Sequence, residues 1–121
     1  MSLIVVEAAI VVADPSTRDA LVAASAPLQA ATRSEEPGCV VYSFCADPVQ
    51  PDLIQVYELW ADEASLAAHF DHPNYHAMRS MLNDAGLASA VSRKHRVDAT
   101  AAVYGADRRP TASFASSADP A

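Results

Sequence analysis

Two strand-like segments of this 121-residue chain are apolar on both faces, and this feature restricts its fold more than any other. In residues 2–13, apolar side chains occupy both faces: Leu3, Val5, Ala9 and Val11 on one, and Ile4, Val6, Ala8, Ile10 and Val12 on the other. Residues 53–60 repeat the pattern, with Leu53, Tyr57 and Leu59 opposite Ile54, Val56 and Trp60. A sheet built from such strands must be covered on both faces.

The residues after the first strand indicate a helix with an interruption. Asp14 is suited to cap the helix, and Pro15 fits the first helical position, where a missing N–H costs nothing. The residues that follow at helical spacing are Leu21, Ala24, Leu28 and Ala31. Pro27 lies inside this segment, so we expect a break or kink near Ala26.

The remaining segments continue the alternation of strands and helices. Three further strands are predicted from β-forming residues, over residues 39–46, 53–60 and 90–104. Asp62 is placed to cap a second helix, which restarts at Pro73 and ends at Gly86. The order β-α-β-β-α-β predicts an α+β, ferredoxin-like fold with an antiparallel sheet.

Two helices can cover only one face of a four-stranded sheet, so the second apolar face needs another partner. We therefore expect a homodimer in which the sheets of two copies pack face to face, with Tyr57 at the interface. We assign residues 1–105 to the folded domain and residues 106–121 to a C-terminal tail. The composition of the tail is typical of disorder, and packing on the partner subunit would order it.

The charge of the chain is acidic overall but unevenly distributed. A net charge of −7 argues against nucleic acid as a partner, because phosphate binding needs a concentrated basic surface. Residues 1–90 hold twelve acidic and three basic side chains, whereas residues 91–121 hold three acidic and five basic ones. The basic run "RKHR" at 93–96 is interpreted as a solvated strand edge, with an anion contact as the alternative.

The N-terminus and the cysteines favour a cytoplasmic protein that does not enter the membrane. Residues 1–15 lack a basic leader, and their apolar run is interrupted by Glu7 and is too short to cross a bilayer. Cys39 and Cys45 belong to one predicted strand, which would separate them by ~20 Å, far beyond the reach of a disulfide. Two unpaired thiols suit a reducing compartment.

Three histidines within residues 58–78 raise the question of a metal site. His69, His72 and His76 would share a face only on an unbroken helix. Pro73 interrupts that helix, since the residue before a proline is driven away from helical geometry. We therefore expect no metal, and we interpret His72 as a turn or capping residue.

Two blocks of sequence carry a family resemblance. They are E-P-G-C-x-x-Y at 36–42 and E-x-W through A-H at 58–69, the second ending in the H-P-x-Y helix start. Together they make residues 3–97 similar to the antibiotic biosynthesis monooxygenase (ABM) family of dimeric ferredoxin-like proteins. The family also includes haem-degrading enzymes, but no histidine falls at the position that matches their haem ligand.

The resemblance implies a cofactor-independent monooxygenase that oxidises a phenolic, quinol or polyketide-like aromatic with O₂. The substrate would lie between the sheet and the helices, lose a proton, and react with O₂ as an electron-rich anion. His69 is the candidate proton acceptor, and Glu58 would orient it or share the proton. The candidate substrate-binding residues are Trp60, Phe70, Tyr75, Tyr42, His72 and Arg79.

Each of these residues also has an ordinary structural interpretation. Glu58 could form a structural hydrogen bond or ion pair, and His69 could bond to Glu58 or to a backbone carbonyl. The aromatic residues could be core, and Arg79 could pair with Asp71 or Glu63. Two other functions therefore stay open: a non-catalytic dimeric module that binds a small ligand, and an isomerase-like enzyme with a smaller, more polar pocket. An open cavity reached by His69 and Glu58 would favour the oxygenase.

Overall fold

The computed structural model describes residues 2–114, which form a four-stranded antiparallel sheet with helices on one face. The strands are β1 (Ile4–Val12), β2 (Cys39–Ala46), β3 (Leu53–Trp60) and β4 (Leu87–Arg96). The helices are a 3₁₀ turn (Pro15–Thr17), α1 (Arg18–Glu35), α2 (Glu63–Asp71) and α3 (Pro73–Ala85). The sheet order β2-β3-β1-β4 is ferredoxin-like, so the predicted α+β fold is confirmed. No helix of this part of the chain has the length and apolar character needed to cross a membrane.

The two faces of the sheet have different environments. The face under the helices carries the buried core, including Ile10, Ile54 and Trp60. The opposite face is apolar over much of its area but open, and Tyr57 and Val91 there are 45% and 65% exposed. The pattern predicted for residues 2–13 and 53–60 is thus present, and within one subunit only one of the two faces is covered.

Helix α1 does not break at its internal proline. Asp14 caps the preceding turn by accepting a hydrogen bond from the Ser16 backbone N–H at 3.0 Å, and the helix then runs through Pro27 to Glu35. Of the break or kink expected near Ala26, the break is therefore wrong. Pro27 removes one N–H, but Ala23, whose carbonyl loses its partner, lies on the exposed side, where water can replace the missing donor.

Side chains of α1 satisfy the free edge of β2. The Gln29 amide accepts from the Phe44 N–H at 3.1 Å and donates to the Phe44 carbonyl at 3.2 Å. Arg33 donates to the Tyr42 carbonyl at 2.8 Å. Unpaired backbone groups of an edge strand are a template for aggregation, and here two polar side chains occupy them.

The predicted restart of the second helix at Pro73 is confirmed. Asp62 caps α2 by accepting from the Ser65 N–H at 2.8 Å. His72 has extended backbone angles and separates α2 from α3, whose first residue is Pro73. Gly86, with a φ of 86°, ends α3 and turns the chain into β4.

Strand β4 covers residues 87–96 and not the predicted 90–104. It ends where its partner ends, because Arg96 pairs with Ile4 and one further bond joins the Val97 N–H to the Leu3 carbonyl at 2.9 Å. From there to residue 114 the chain has little regular structure apart from a bridge between Tyr104 and Pro110. Residues 115–121 of the predicted tail lie outside the described residues, and its packing on a partner stays a prediction.

Candidate functional site

A cavity of about 460 Å³ lies between the sheet and helices α2 and α3. Its sheet side is formed by core-facing residues of β1, β2, β3 and β4, and its helix side by one face of α3 and the end of α2. Six of the predicted substrate or catalytic residues contribute to the wall: Tyr42, Glu58, His69, Phe70, Tyr75 and Arg79. Arg79 is exposed and lies on the helix side.

The imidazole of His69 is held by a carboxylate. Its Nδ1 lies 2.7 Å from Oε1 of Glu36, and the two residues are 2% and 6% exposed. With Nδ1–H donating to Glu36, the neutral ring keeps Nε2 as its proton acceptor. Burial lowers the pKa of His69, although Glu36 acts in the opposite direction. The result is a buried, neutral and oriented histidine at the wall of a cavity.

Glu36 is itself fixed by the start of α3. Asn74 donates from Nδ2 to Oε2 of Glu36 at 3.2 Å. His72 Nδ1 lies 3.7 Å from the same oxygen, but it accepts from the Asn74 N–H at 3.0 Å. An accepting nitrogen carries no proton, so His72 acts here as the cap of α3 and not as a cation beside Glu36.

The second buried carboxylate, Glu58, lies on β3 and faces the same cavity. It accepts a hydrogen bond from the Trp60 indole N–H at 2.9 Å. Burial raises the pKa of Glu58 to about 7, with the nearby Glu36 adding to the shift and the Trp60 bond opposing it. Glu58 can therefore exchange a proton near neutral pH.

These contacts correct the expectation that Glu58 orients His69. The carboxylate bonded to the imidazole is Glu36, and the bond found for Glu58 is to Trp60. Glu58 and His69 nevertheless line one cavity, so they can act on one ligand from different sides.

Aromatic rings surround His69. The ring centroids of Trp60, Tyr75, Tyr42 and Phe70 lie 4.6, 5.3, 5.4 and 6.0 Å from that of the imidazole. Trp60 is completely buried and does not line the cavity, so its predicted place in the pocket wall is corrected to a position behind Glu58 and His69. Burial also raises the pKa of Tyr42, which keeps its hydroxyl protonated at neutral pH.

Of the remaining predicted site residues, Arg79 lines the cavity as predicted and His72 does not. His72 caps α3, as one interpretation expected, and does not line the cavity, which corrects its assignment to the substrate. Arg79 forms no ion pair within residues 2–114, and Glu63 pairs instead with Arg96 at 3.1 Å. The predicted pairing of Arg79 with Asp71 or Glu63 is therefore wrong.

His69, His72 and His76 do not form a metal centre in the part of the chain that the structure covers. His69 and His76 lie on different helices, and His72 occupies the junction between them. No group of three His, Cys, Asp or Glu side chains in residues 2–114 could hold a metal ion.

Sequence reasoning did not assign a role to Glu36, although this residue begins the E-P-G-C block. The block forms the turn between α1 and β2, where Gly38 has a φ of 86°. A Cβ atom on Gly38 would lie 2.6 Å from Cβ of Ser65. The glycine thus lets the turn approach α2 closely, and that approach places Glu36 beside His69. The sequence pattern that could have indicated the role of Glu36 is a glutamate directly before a Pro-Gly turn.

Comparisons with solved structures show the same fold. A candidate antibiotic biosynthesis monooxygenase from Caulobacter crescentus superposes with a TM-score of 0.71 at 23% identity, covering 83% of this chain and 92% of that one. A second candidate, from Deinococcus radiodurans, gives 0.70 at 16%, covering 84% and 99%. A protein of unknown function from Bacteroides thetaiotaomicron, described as a possible oxidoreductase, gives 0.69 at 22%, covering 79% and 98%.

Comparisons of sequence identify the family. An uncharacterized protein of Synechocystis is 34% identical over 62 residues, which are 51% of this chain and 42% of that protein, so the match spans less than half of the relative. The model of the family described as antibiotic biosynthesis monooxygenase matches residues 3–81, which is more than half of the chain. The chain therefore belongs to the antibiotic biosynthesis monooxygenase family.

Proposed function

We propose that this chain is a cofactor-independent monooxygenase that oxidises a phenolic, quinol or polyketide-like aromatic with O₂. The observation that carries the proposal is the pair of Glu36 and His69, whose imidazole forms part of the wall of the 460 Å³ cavity. Family membership and the neighbours described as candidate monooxygenases support an oxidoreductase of this kind.

The proposed first step is the removal of a phenolic or enolic proton by His69. Glu36 accepts from Nδ1–H, which holds the ring in the tautomer that can accept a proton at Nε2 and stabilises the imidazolium that forms. The resulting substrate anion is electron-rich and passes an electron to O₂. One oxygen atom ends in the carbonyl of a quinone product, and the other leaves as water with two hydrogens of the substrate.

Two further residues of the cavity suit this reaction. Glu58, with its pKa raised to about 7 by burial, can return a proton to the departing oxygen. Tyr42 keeps its hydroxyl proton and can donate it in a hydrogen bond to the oxygen of the substrate anion.

The lining and the volume of the cavity support an aromatic substrate over a small polar metabolite. Its wall is mainly apolar and aromatic, with Phe70 and Tyr75 at ring-centroid separation of 5.2 Å. A volume near 460 Å³ falls in the range of sites for drug-sized ligands. An isomerase for a small metabolite would need a smaller and more polar space.

We also propose that the protein is a homodimer built through the open face of the sheet. That face exposes Tyr57 and Val91 and contains an ion pair of Glu7 with Arg93 at 3.2 Å. Exposed apolar side chains on a sheet face can mark an interaction surface, and a second copy offers the same surface in return.

Oxygen uptake with a panel of anthrones and quinols tests the proposed activity. We expect uptake with formation of the matching quinone, and a loss of about 100-fold or more in the variant His69→Ala, the usual contribution of a general base. His76→Ala is the matched control, since His76 is an exposed histidine on α3 outside the cavity. Undiminished uptake in His69→Ala, or no uptake by the wild type with any member of the panel, would contradict the proposal.

A further inference from the structure

A second cavity, of about 430 Å³, continues the first along the sheet. Its walls come from Ile4, from one side of α2 that includes Glu63, and from Lys94, His95 and Arg96 at the end of β4. Phe70 lines both cavities. Val6 of the first cavity is also the register partner of Lys94 of the second, so the two spaces meet at this pair.

The two cavities therefore form one groove over the helix-side face of β1 and β4. Alternate residues of a strand share a face, so the floor of β4 along the groove is formed in turn by Ala90, Ser92, Lys94 and Arg96. The first two are small and neutral, and the last two are cationic. The groove is thus apolar where it passes His69 and basic where it ends.

Lys94 supplies the unbalanced charge at that end. Arg96 donates to Glu63 at 3.1 Å, so its charge is offset. Lys94 has no ion-pair partner among the described residues, and it is the single lysine of the chain. In a protein of net charge −7, an unpaired cation beside an apolar groove is a local attraction for an anion and not part of a general basic surface.

The register of the sheet fixes how far the backbone of Lys94 lies from that of Glu58. Lys94 pairs with Val6, and Val6 pairs with Glu58, so all three lie in one row across the sheet. Neighbouring strands are separated by ~4.8 Å, which places the backbone of Lys94 ~10 Å from that of Glu58. A fused-ring aromatic can span this distance with one substituent at each end.

We propose that Lys94 is a specificity-determining residue that binds an anionic group of the ligand, a carboxylate, while the reacting hydroxyl lies at His69 and Glu58. The proposal rests on the proposed function, because it takes the ligand of the groove to be the substrate. It deepens that function by naming the substrate class: a hydroxylated fused-ring aromatic that carries an acidic group at the end opposite the hydroxyl.

A pair of fluorescent probes tests the carboxylate preference without any reaction. The probes are 2-naphthol and 6-hydroxy-2-naphthoate, which share ring and hydroxyl but differ in a carboxylate at the far end. We expect the wild type to bind the carboxylate probe about tenfold more tightly at neutral pH, as for a charged hydrogen bond in a partly enclosed site. Lys94→Gln should bind both probes equally, and added salt should weaken the preference of the wild type.

Arg109→Gln is the matched control, because it removes the same charge from the exposed segment after β4. Arg109→Gln should keep the preference of the wild type for the carboxylate probe. Equal binding of both probes by the wild type, binding of neither, or a preference that survives in Lys94→Gln would overturn the assignment of Lys94.

The same titrations separate this proposal from the oxygenase. If the preference depends on Lys94 but no anthrone or quinol is oxidised, the anionic subsite stands and the proposed function fails. If oxidation occurs and Lys94→Gln changes neither binding nor the kcat/KM ratio between acidic and neutral substrates, the oxygenase stands and the subsite is wrong.

Discussion

Glu36 and His69 lie 33 residues apart in the chain and 2.7 Å apart in the structure. The contact joins the turn after α1 to the last turn of α2, and both side chains are almost completely buried. Because burial lowers the pKa of His69 while Glu36 opposes that shift, the carboxylate sets both the orientation and the basicity of the imidazole.

Glu36→Gln is expected to change the pH profile as well as the rate. The amide oxygen can still accept from Nδ1–H, but the charge that raises the pKa of His69 is lost. The acidic limb of kcat/KM, which reports protonation of the base, should move to lower pH, and the plateau should fall about tenfold or more because the base is weaker. Glu35→Gln, at the exposed neighbouring carboxylate, is the control. A rate loss without a shift of the limb would indicate a structural role alone.

The sequence pattern predicted the elements that arise from local chemistry. Alternating apolar residues, the Asp62 cap and Pro73 act over a few residues, so the strands, the helix start and the helix restart could be predicted. The partner of His69 could not, since it depends on how closely the turn at Gly38 approaches α2. The end of β4 likewise depends on the end of β1, which is not a property of residues 90–104 themselves.

Glu58 should make the stability of the protein fall as the pH rises toward neutrality. Its folded pKa of about 7 is above its ordinary value of 4.5, so between these values the folded state binds more protons than the unfolded state. The free energy of unfolding should decrease across that interval, by up to about 3 kcal/mol. Denaturant unfolding from pH 4.5 to 8 should show that Glu58→Gln removes this decrease.

The quantity to compare is the difference in the free energy of unfolding between the wild type and Glu58→Gln at each pH. The lowered pKa of His69 acts in the opposite direction, because it makes stability rise with pH through the ordinary range of histidine, and it cancels in the difference. A constant difference from pH 4.5 to 8 would show that Glu58 does not titrate differently in the folded protein.

Gly38 and Gly86 allow a matched test of how closely the turn at Gly38 approaches α2. Both have a φ of 86°, so alanine at either position meets the same backbone strain, about 1–2 kcal/mol. At Gly86 the added Cβ meets only Cβ of Ala13 at 3.9 Å, whereas at Gly38 it overlaps the Ser65 side chain. Gly38→Ala should therefore destabilise the protein by about 1–3 kcal/mol more than Gly86→Ala in thermal or denaturant unfolding. Equal losses of stability in the two variants would show that α2 can move away from the added Cβ atom at no cost in free energy.

Gln29→Ala should expose how much the β2 edge depends on α1. The change removes the bonds to both backbone groups of Phe44 and the bond to Ser25 at 2.9 Å. Leaving the buried Phe44 N–H without its acceptor should lower the free energy of unfolding by about 1–3 kcal/mol. Gln50→Ala, at an exposed glutamine in the loop between β2 and β3, should change it by less than about 0.5 kcal/mol. Similar effects of the two changes would mean that water replaces Gln29 fully.

Tyr57→Glu should separate the proposed dimer. Tyr57 lies on the open face of the sheet, with Glu7 of β1 as its register partner, so a new carboxylate there would be buried beside an existing one when two copies pack. In sedimentation velocity at micromolar concentration we expect the wild type as a dimer and Tyr57→Glu as a folded monomer. Val49→Glu is the control, because Val49 is 87% exposed and lies between β2 and β3, away from that face. A monomeric wild type would contradict the proposed dimer. A dimeric Tyr57→Glu variant would show that the interface does not include Tyr57.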